Sequence, residues 1–141
     1  MSSLEPCRPS VFYRLSTRED VLDWKETKWY YTPTQSHADL KALAQLPPTT
    51  LAVSTRFEEA GPEGVAHIGV ENTGSSLAFQ VRLKLVEPTS GEEILPVFWD
   101  DNYFELFPRE KREIRVSYPR KEGVARPGLE VEAWNVAKAR H

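Results

Sequence analysis

The residues best suited to chemistry in this chain form one run: Trp99, Asp100, Asp101, Asn102 and Tyr103. Two carboxylates and an amide beside two aromatic rings can hold a sugar. The polar groups hydrogen-bond to hydroxyls, and a ring face takes the apolar C–H side. The same oxygens could begin a calcium site, but two acids and one amide fall short of the about six to eight oxygens that calcium takes. Asp and Asn also fix strand-to-strand corners by bonding nearby backbone, so a structural use of Asp101 and Asn102 stands beside the functional one. Trp99 is expected in the core or at a domain interface. A second aromatic run, Trp29, Tyr30 and Tyr31, raises the same question of sugar contact or packing. Packing between modules is the expectation there, and a core position is the expectation for Trp134.

Other chemistry has little support. His37, His67 and His141 are widely spaced and match no metal-ligand pattern. His67 falls in a strand pattern, where a hydrogen-bonded or partly exposed histidine is the plain reading. Cys7 is the single cysteine, so it can make no internal disulfide and no multi-cysteine zinc site. A nucleophile elbow and a phosphate loop are both missing. No metal and no cofactor is therefore expected. The net charge of −3, with scattered Lys and Arg, gives no reason to expect a nucleic-acid partner. No apolar run approaches the ~20 residues of a membrane helix, and the first twenty residues lack the apolar stretch of a signal peptide. The compartment is left open.

The elements that must position these residues are mostly strands. The chain has 141 residues, 40% of them hydrophobic and 11% aromatic, which fits one folded domain and perhaps a piece of a neighbour. Residues 1–10 read as a tail and residues 11–16 as a short strand. Residues 17–28 read as a polar connection with Val21, Leu22 and Trp24 as apolar anchors. Ser36 and Asp39 suit the capping of a short helix bearing Leu40, Leu43 and Ala44, which Pro47 and Pro48 stop. From Thr49 onward the period is two. Strands are expected over residues 51–57, 65–71, 77–86, 94–99, 113–118 and 129–136, with a further aromatic run between Asn102 and Pro108. In the third of these, Phe79, Val81, Leu83 and Leu85 point inward. Gly74 is expected to take positive φ in the turn after Asn72. Residues 137–141 read as a tail. About seven strands with regular turns are the pattern of a β-sandwich.

Three separated segments carry a resemblance. PVFWDDNYFELFPREKREIRV is similar to a segment of the C-terminal immunoglobulin-like domain of family 2 glycoside hydrolases, in the branch of exo-β-D-glucosaminidases and β-mannosidases, including mannosylglycoprotein endo-β-mannosidases. FYRLSTREDVLDWKETKWYYTPTQSHADLKALAQLP and VEAWNV resemble two more segments of that branch, in the same order. Arg14 stands where the family often has Trp, and Arg109 where it usually has Gly. The resemblance implies an all-β, immunoglobulin-like β-sandwich of about seven strands with a short N-terminal helix. It implies an accessory module and not the catalytic domain. The family's retaining hydrolysis needs two carboxylates roughly 5–5.5 Å apart, carried on a (β/α)₈ barrel of about 250 residues. No segment here resembles the barrel's catalytic motifs, so no catalytic residue is carried over.

The resemblance also divides the chain. Residues 1–28 correspond to a tail, strand and linker from the junction with a preceding domain, and residues 29–141 to the sandwich. The expected function is a non-catalytic module that packs on the catalytic domain of a family 2 glycosidase and shapes its substrate cleft. The alternative is a carbohydrate-binding module holding polysaccharide through exposed aromatics. The expected partners are the other domains of the parent enzyme and, under the alternative, an oligosaccharide. Contacts of either kind are expected at Trp29, Tyr30, Tyr31, Trp99, Asp100, Asp101, Asn102 and Tyr103. Exposed aromatics in line on a sheet face would favour direct binding; buried ones would favour packing.

Overall fold

Among the described residues, a hairpin and two four-stranded sheets hold the regular structure. The computed structural model describes residues 16, 18–120 and 125–141. The tail of residues 1–10 with Cys7, and all but Ser16 of the strand expected over residues 11–16, lie outside them. The chain divides into two compact units, one spanning Pro9–Leu46 and the other holding Pro47–His141.

In the smaller unit, β1 (Val21–Leu22) and β2 (Thr34–Ser36) pair antiparallel. A 3-10 turn over Trp24–Glu26 follows β1. Its cap is Asp23, whose Oδ1 accepts from the N–H groups of Lys25 (3.1 Å) and Glu26 (3.3 Å). The helix expected after Ser36 is instead a five-residue 3-10 segment, Lys41–Gln45. Ser36 ends β2 rather than capping, and Asp39 accepts from the N–H of Lys41 at 3.0 Å. Leu40 takes the N-cap position without a side-chain cap bond, and Pro47 and Pro48 follow closely. So short a segment cannot repay the cost of nucleating α turns. Val21, Leu22 and Trp24 are exposed, so they do not act as anchors.

In the larger unit the period-two pattern becomes eight strands. They are β3 (Leu51–Ala60), β4 (Glu63–Asn72), β5 (Ala78–Val86), β6 (Phe98–Trp99), β7 (Phe104–Leu106), β8 (Lys111–Pro119), β9 (Gly128–Ala133) and β10 (Val136–Arg140). One sheet has the order β3-β4-β8-β6 and the other β10-β9-β5-β7, with every pair antiparallel. Their inner faces share one core: Ile68, Val70, Ile114 and Val116 from the first sheet, Leu83, Leu85, Leu106 and Val131 from the second. This is an all-β, immunoglobulin-like sandwich.

Three strands differ in form from the expected ones. The strand expected over residues 94–99 is reduced to Phe98–Trp99, because Pro96 has no N–H to give a ladder. The strand expected over residues 129–136 turns back at Trp134 and Asn135, and the expected tail becomes the edge strand β10. β10 is almost wholly exposed, and its alternation of Ala with Lys and Arg puts no large apolar residue on either face after Val136. In β5 the register shifts between Ala78 and Val81, and Gln80 has φ 53°. This bulge sets both Ala78 and Val81 in the core cluster, and Phe79, buried as well, is not part of it.

Two corners depend on special backbone. Gly74 does not take positive φ; glycine is needed there because a Cβ would collide with Thr49 Oγ1. Arg109 has φ 67°, the left-handed region that favours glycine. It stands where the related family usually has Gly, and the corner keeps the glycine-like turn with a side chain on it.

Candidate functional site

The run from Trp99 to Tyr103 forms the corner between β6 and β7, and its side chains go to different tasks. Trp99 is half-buried and packs against the core. Asp100 binds β8 at one residue: its N–H donates to the Arg115 carbonyl (3.0 Å) and its Oδ1 accepts from the Arg115 N–H (2.8 Å). Asp101 Oδ2 pairs with Arg112 Nη1 at 2.7 Å. The Arg112 guanidinium is buried and lies 4.8 Å from the centroid of the Phe104 ring. Glu110 Oε1 approaches its other nitrogen at 3.8 Å. A buried guanidinium needs such anions, since an unpaired charge there would be strongly destabilising.

Asn102 behaves as a strand residue supplied by a side chain. Its Nδ2 donates to the Leu83 carbonyl (3.0 Å), and its Oδ1 accepts from the N–H groups of Leu83 (2.9 Å) and Tyr103 (3.0 Å). The amide thus continues the β5 ladder beyond the point where β7 pairs at Val81 and Phe104. Tyr103, at φ 57°, turns outward and is exposed, with the Arg82 guanidinium 5.6 Å from its ring centroid. Of these five residues Asp100 lines a cavity, a shallow depression of about 450 Å³ on the outer face of the first sheet, shared with His67, Gly69 and Glu113. Among the described residues no group of three or more His, Cys, Asp or Glu is placed to hold a metal ion.

The other run presents its rings to solvent. Trp29 is 95% exposed, Tyr30 66% and Tyr31 50%, and nearby Trp24 is 71% exposed. They belong to the smaller unit, at the tip of the β1–β2 hairpin. Trp29 and Tyr30 meet edge to face, with centroids 5.2 Å apart and planes at 80°. Tyr30 and Tyr31 lie 5.0 Å apart at 40°.

Trp134 is not in the core. It is 61% exposed at the β9–β10 turn, while its neighbour Ala133 packs on the core, so the alternation sends the indole outward. His37 lies 3.9 Å from Asp20, and His67 Nε2 lies 3.5 Å from Glu58 Oε2. His67 is a partly exposed strand residue, as the plain reading has it.

Other polar residues, not singled out in the sequence, organise the sandwich. Asn72 is fully buried. Its Nδ2 donates to the carbonyls of Ser76 (2.8 Å) and Leu106 (2.9 Å), and its Oδ1 accepts from Thr49 Oγ1 (2.8 Å) and the Gly74 N–H (3.1 Å). Asn135 joins the Pro47 and Leu77 carbonyls (both 2.7 Å) to the Phe79 N–H (3.0 Å). Glu130, buried on β9, meets Lys138 Nζ at 2.8 Å and Arg140 Nη2 at 2.7 Å, both from β10. Its hydrogen bonds to Lys138 and then Arg140 hold its pKa down at about 2, against desolvation that would raise it. Glu132 is likewise lowered, first by its hydrogen bond to Lys84. A perturbed carboxylate can mark a reaction site; here the cations that perturb it come from strands of its own sheet, so it fastens an edge. The Trp-Asn pair in VEAWNV was a signal for Asn135; nothing in the local sequence marks Glu130.

The chain is similar to parts of much longer enzymes. The family model described as the exo-β-D-glucosaminidase Ig-fold domain matches residues 29–136. The match begins in the smaller unit and runs through the larger one. The chain is 42% identical over 137 residues to the exo-β-D-glucosaminidase of Streptomyces avermitilis and 39% over 126 residues to that of Arthroderma benhamiae. Each alignment covers 89% of this chain and 14% of the relative's length. A mannosylglycoprotein endo-β-mannosidase of Lilium longiflorum is 28% identical over 92 residues, 61% of this chain and 10% of that protein. Among solved structures, the exo-chitosanase CsxA of Amycolatopsis orientalis superposes with a TM-score of 0.81 at 30% identity, over 92% of this chain and 16% of that one. The sandwich, its corners and these matches agree: the chain belongs to the Ig-fold domain family of exo-β-D-glucosaminidases, within the family 2 glycoside hydrolases.

Proposed function

We propose that this chain is a non-catalytic, C-terminal β-sandwich module of a family 2 glycoside hydrolase of the exo-β-D-glucosaminidase type, packing on the catalytic domain and shaping the rim of its substrate cleft. The observation that carries this reading is the share of the relatives that the chain covers. It spans only 14% of the length of the exo-β-D-glucosaminidases it matches, while the family's chemistry needs a barrel of about 250 residues. The carboxylates of the 99–103 corner support it, since Asp100 and Asp101 are bound to β8 and to Arg112. The higher identity to glucosaminidases than to the mannosidase favours the former type of parent.

The test has two arms. The purified chain should not release p-nitrophenol from p-nitrophenyl β-D-glucosaminide above a buffer blank. Removing the module from the full-length enzyme should lower its thermal stability and its turnover of that substrate. Hydrolysis by the chain alone, or a full-length enzyme indifferent to the removal, would refute the proposal. Direct polysaccharide binding is the second reading, favoured by the exposure of Trp29. Retention of the isolated chain on immobilised chitosan would decide for it.

A further inference from the structure

We infer that the tip of the β1–β2 hairpin is the docking element of this module, with Trp29 and Tyr30 inserting edge-on into a pocket on another domain of the same polypeptide. The inference rests on the accessory role proposed above and assigns that role to particular side chains.

The first ground is that the hairpin makes its tip without using the aromatics. The Asp23 N–H donates to the Pro33 carbonyl (2.8 Å) and the Lys28 N–H to the Tyr31 carbonyl (2.9 Å). Asp23 caps the 3-10 turn, and the hydroxyls of Thr27 and Thr32 meet at 3.3 Å. The backbone is thus held from inside by polar bonds, while Trp24, Trp29, Tyr30 and Tyr31 face water. The second ground is that nothing in the smaller unit repays that exposure. Not one of its described residues is buried. A two-stranded hairpin is marginal by itself, and clustered exposed aromatics mark interaction sites. Trp and Tyr are also the residues in which binding energy concentrates.

The occupant follows from chemistry and length. A sugar stacks on an open, flat ring face. Here the planes of successive rings turn by 80° and then 40°, which makes a convex knob and not a platform. A knob fits a concave protein pocket. Lys25, Glu26 and Lys28 are exposed and adjoin Trp24 and Trp29 in sequence, and apolar residues with polar ones beside them are the usual make-up of a protein interface. Most of the relatives' length lies beyond the part this chain covers. A surface on the same polypeptide meets the tip at high effective concentration, so a modest patch suffices.

Hydroxyl-radical footprinting of the full-length enzyme against this chain alone tests the inference. Oxidation of Trp29 and Tyr30 should fall several-fold in the full-length protein, with no sugar present. Trp29→Ala should lower the melting temperature of the full-length protein and leave that of the isolated chain unchanged. Three outcomes would overturn the assignment. Equal oxidation of the tip in both proteins, with protection at Tyr103 or Trp134 instead, would move the docking face to the sandwich and leave the accessory role standing. Protection at the tip that arises only with glucosamine oligomers would make it a glycan site. Equal oxidation at every aromatic would remove the accessory role as well.

Discussion

In the sandwich, Phe104 and Tyr118 lie inside the core, and Trp99 leans on it. In the hairpin of the smaller unit, Trp24, Trp29, Tyr30 and Tyr31 lie outside with no buried residue beneath them. Both regions are rich in aromatics, so composition does not separate them. What separates them is sheet area. Four strands on each side can enclose a ring; a hairpin of two and three residues per strand cannot. An aromatic on so small a frame is not covered by the hairpin's own residues.

Core truncation should break this comparison most sharply. Leu83→Ala removes a buried side chain and should cost about 2–5 kcal/mol, whereas Trp29→Ala in the same chain should stay within about 0.5 kcal/mol. Urea denaturation of both variants reads the contrast, and equal losses would show that the hairpin tip is packed. Next in size is the corner amide. Asn72→Ala would strand two carbonyls, a hydroxyl and an N–H in the interior and should cost about 2–3 kcal/mol. Asn102→Ala should cost about 1–3 kcal/mol by unpairing Leu83. If Asn102→Ala left stability unchanged and abolished sugar binding, the residue would be a ligand group and not a clamp.

The acid response should be smaller and confined to one edge. The Glu130 pKa is lowered from 4.5 to about 2, so its contribution is complete above the unfolded value and fades as pH falls through that window. Melting temperatures of the chain and of Glu130→Gln, followed between those two pH values, should converge toward the acid end. A gap between them that stays constant would mean that the β10 cations do not hold the carboxylate. The smallest effect is expected at Arg109. Arg109→Gly relieves a left-handed conformation but loosens the unfolded chain, for a net gain under about 1 kcal/mol. A clear loss in a thermal melt would reveal a role for the Arg109 side chain.

By itself the sequence determined the sandwich. Period-two alternation marked β3, β4, β5 and β8, and in β5 it turned Val81, Leu83 and Leu85 inward, because a strand's faces are set by its own residues. Three separated motifs also carried the family. Other features awaited the tertiary structure, because each depends on what lies opposite. Ser36 and Asp39 read as a helix cap, yet the segment is only five residues long with none of them buried, and it settles as a 3-10 turn. Residues 137–141 carry no large apolar side chain to mark a core face, yet Glu130 draws Lys138 and Arg140 into an edge strand. Trp134 has the composition of a core residue, but the chain turns there and the indole points out. Asn102 could be weighed from sequence as clamp or ligand; Asn72 looked like any turn residue. Their amides bond backbone that is distant along the chain, Leu106 for Asn72 and Leu83 for Asn102. Only folding brings those peptide groups within reach, and a buried amide is satisfied by the groups it finds there.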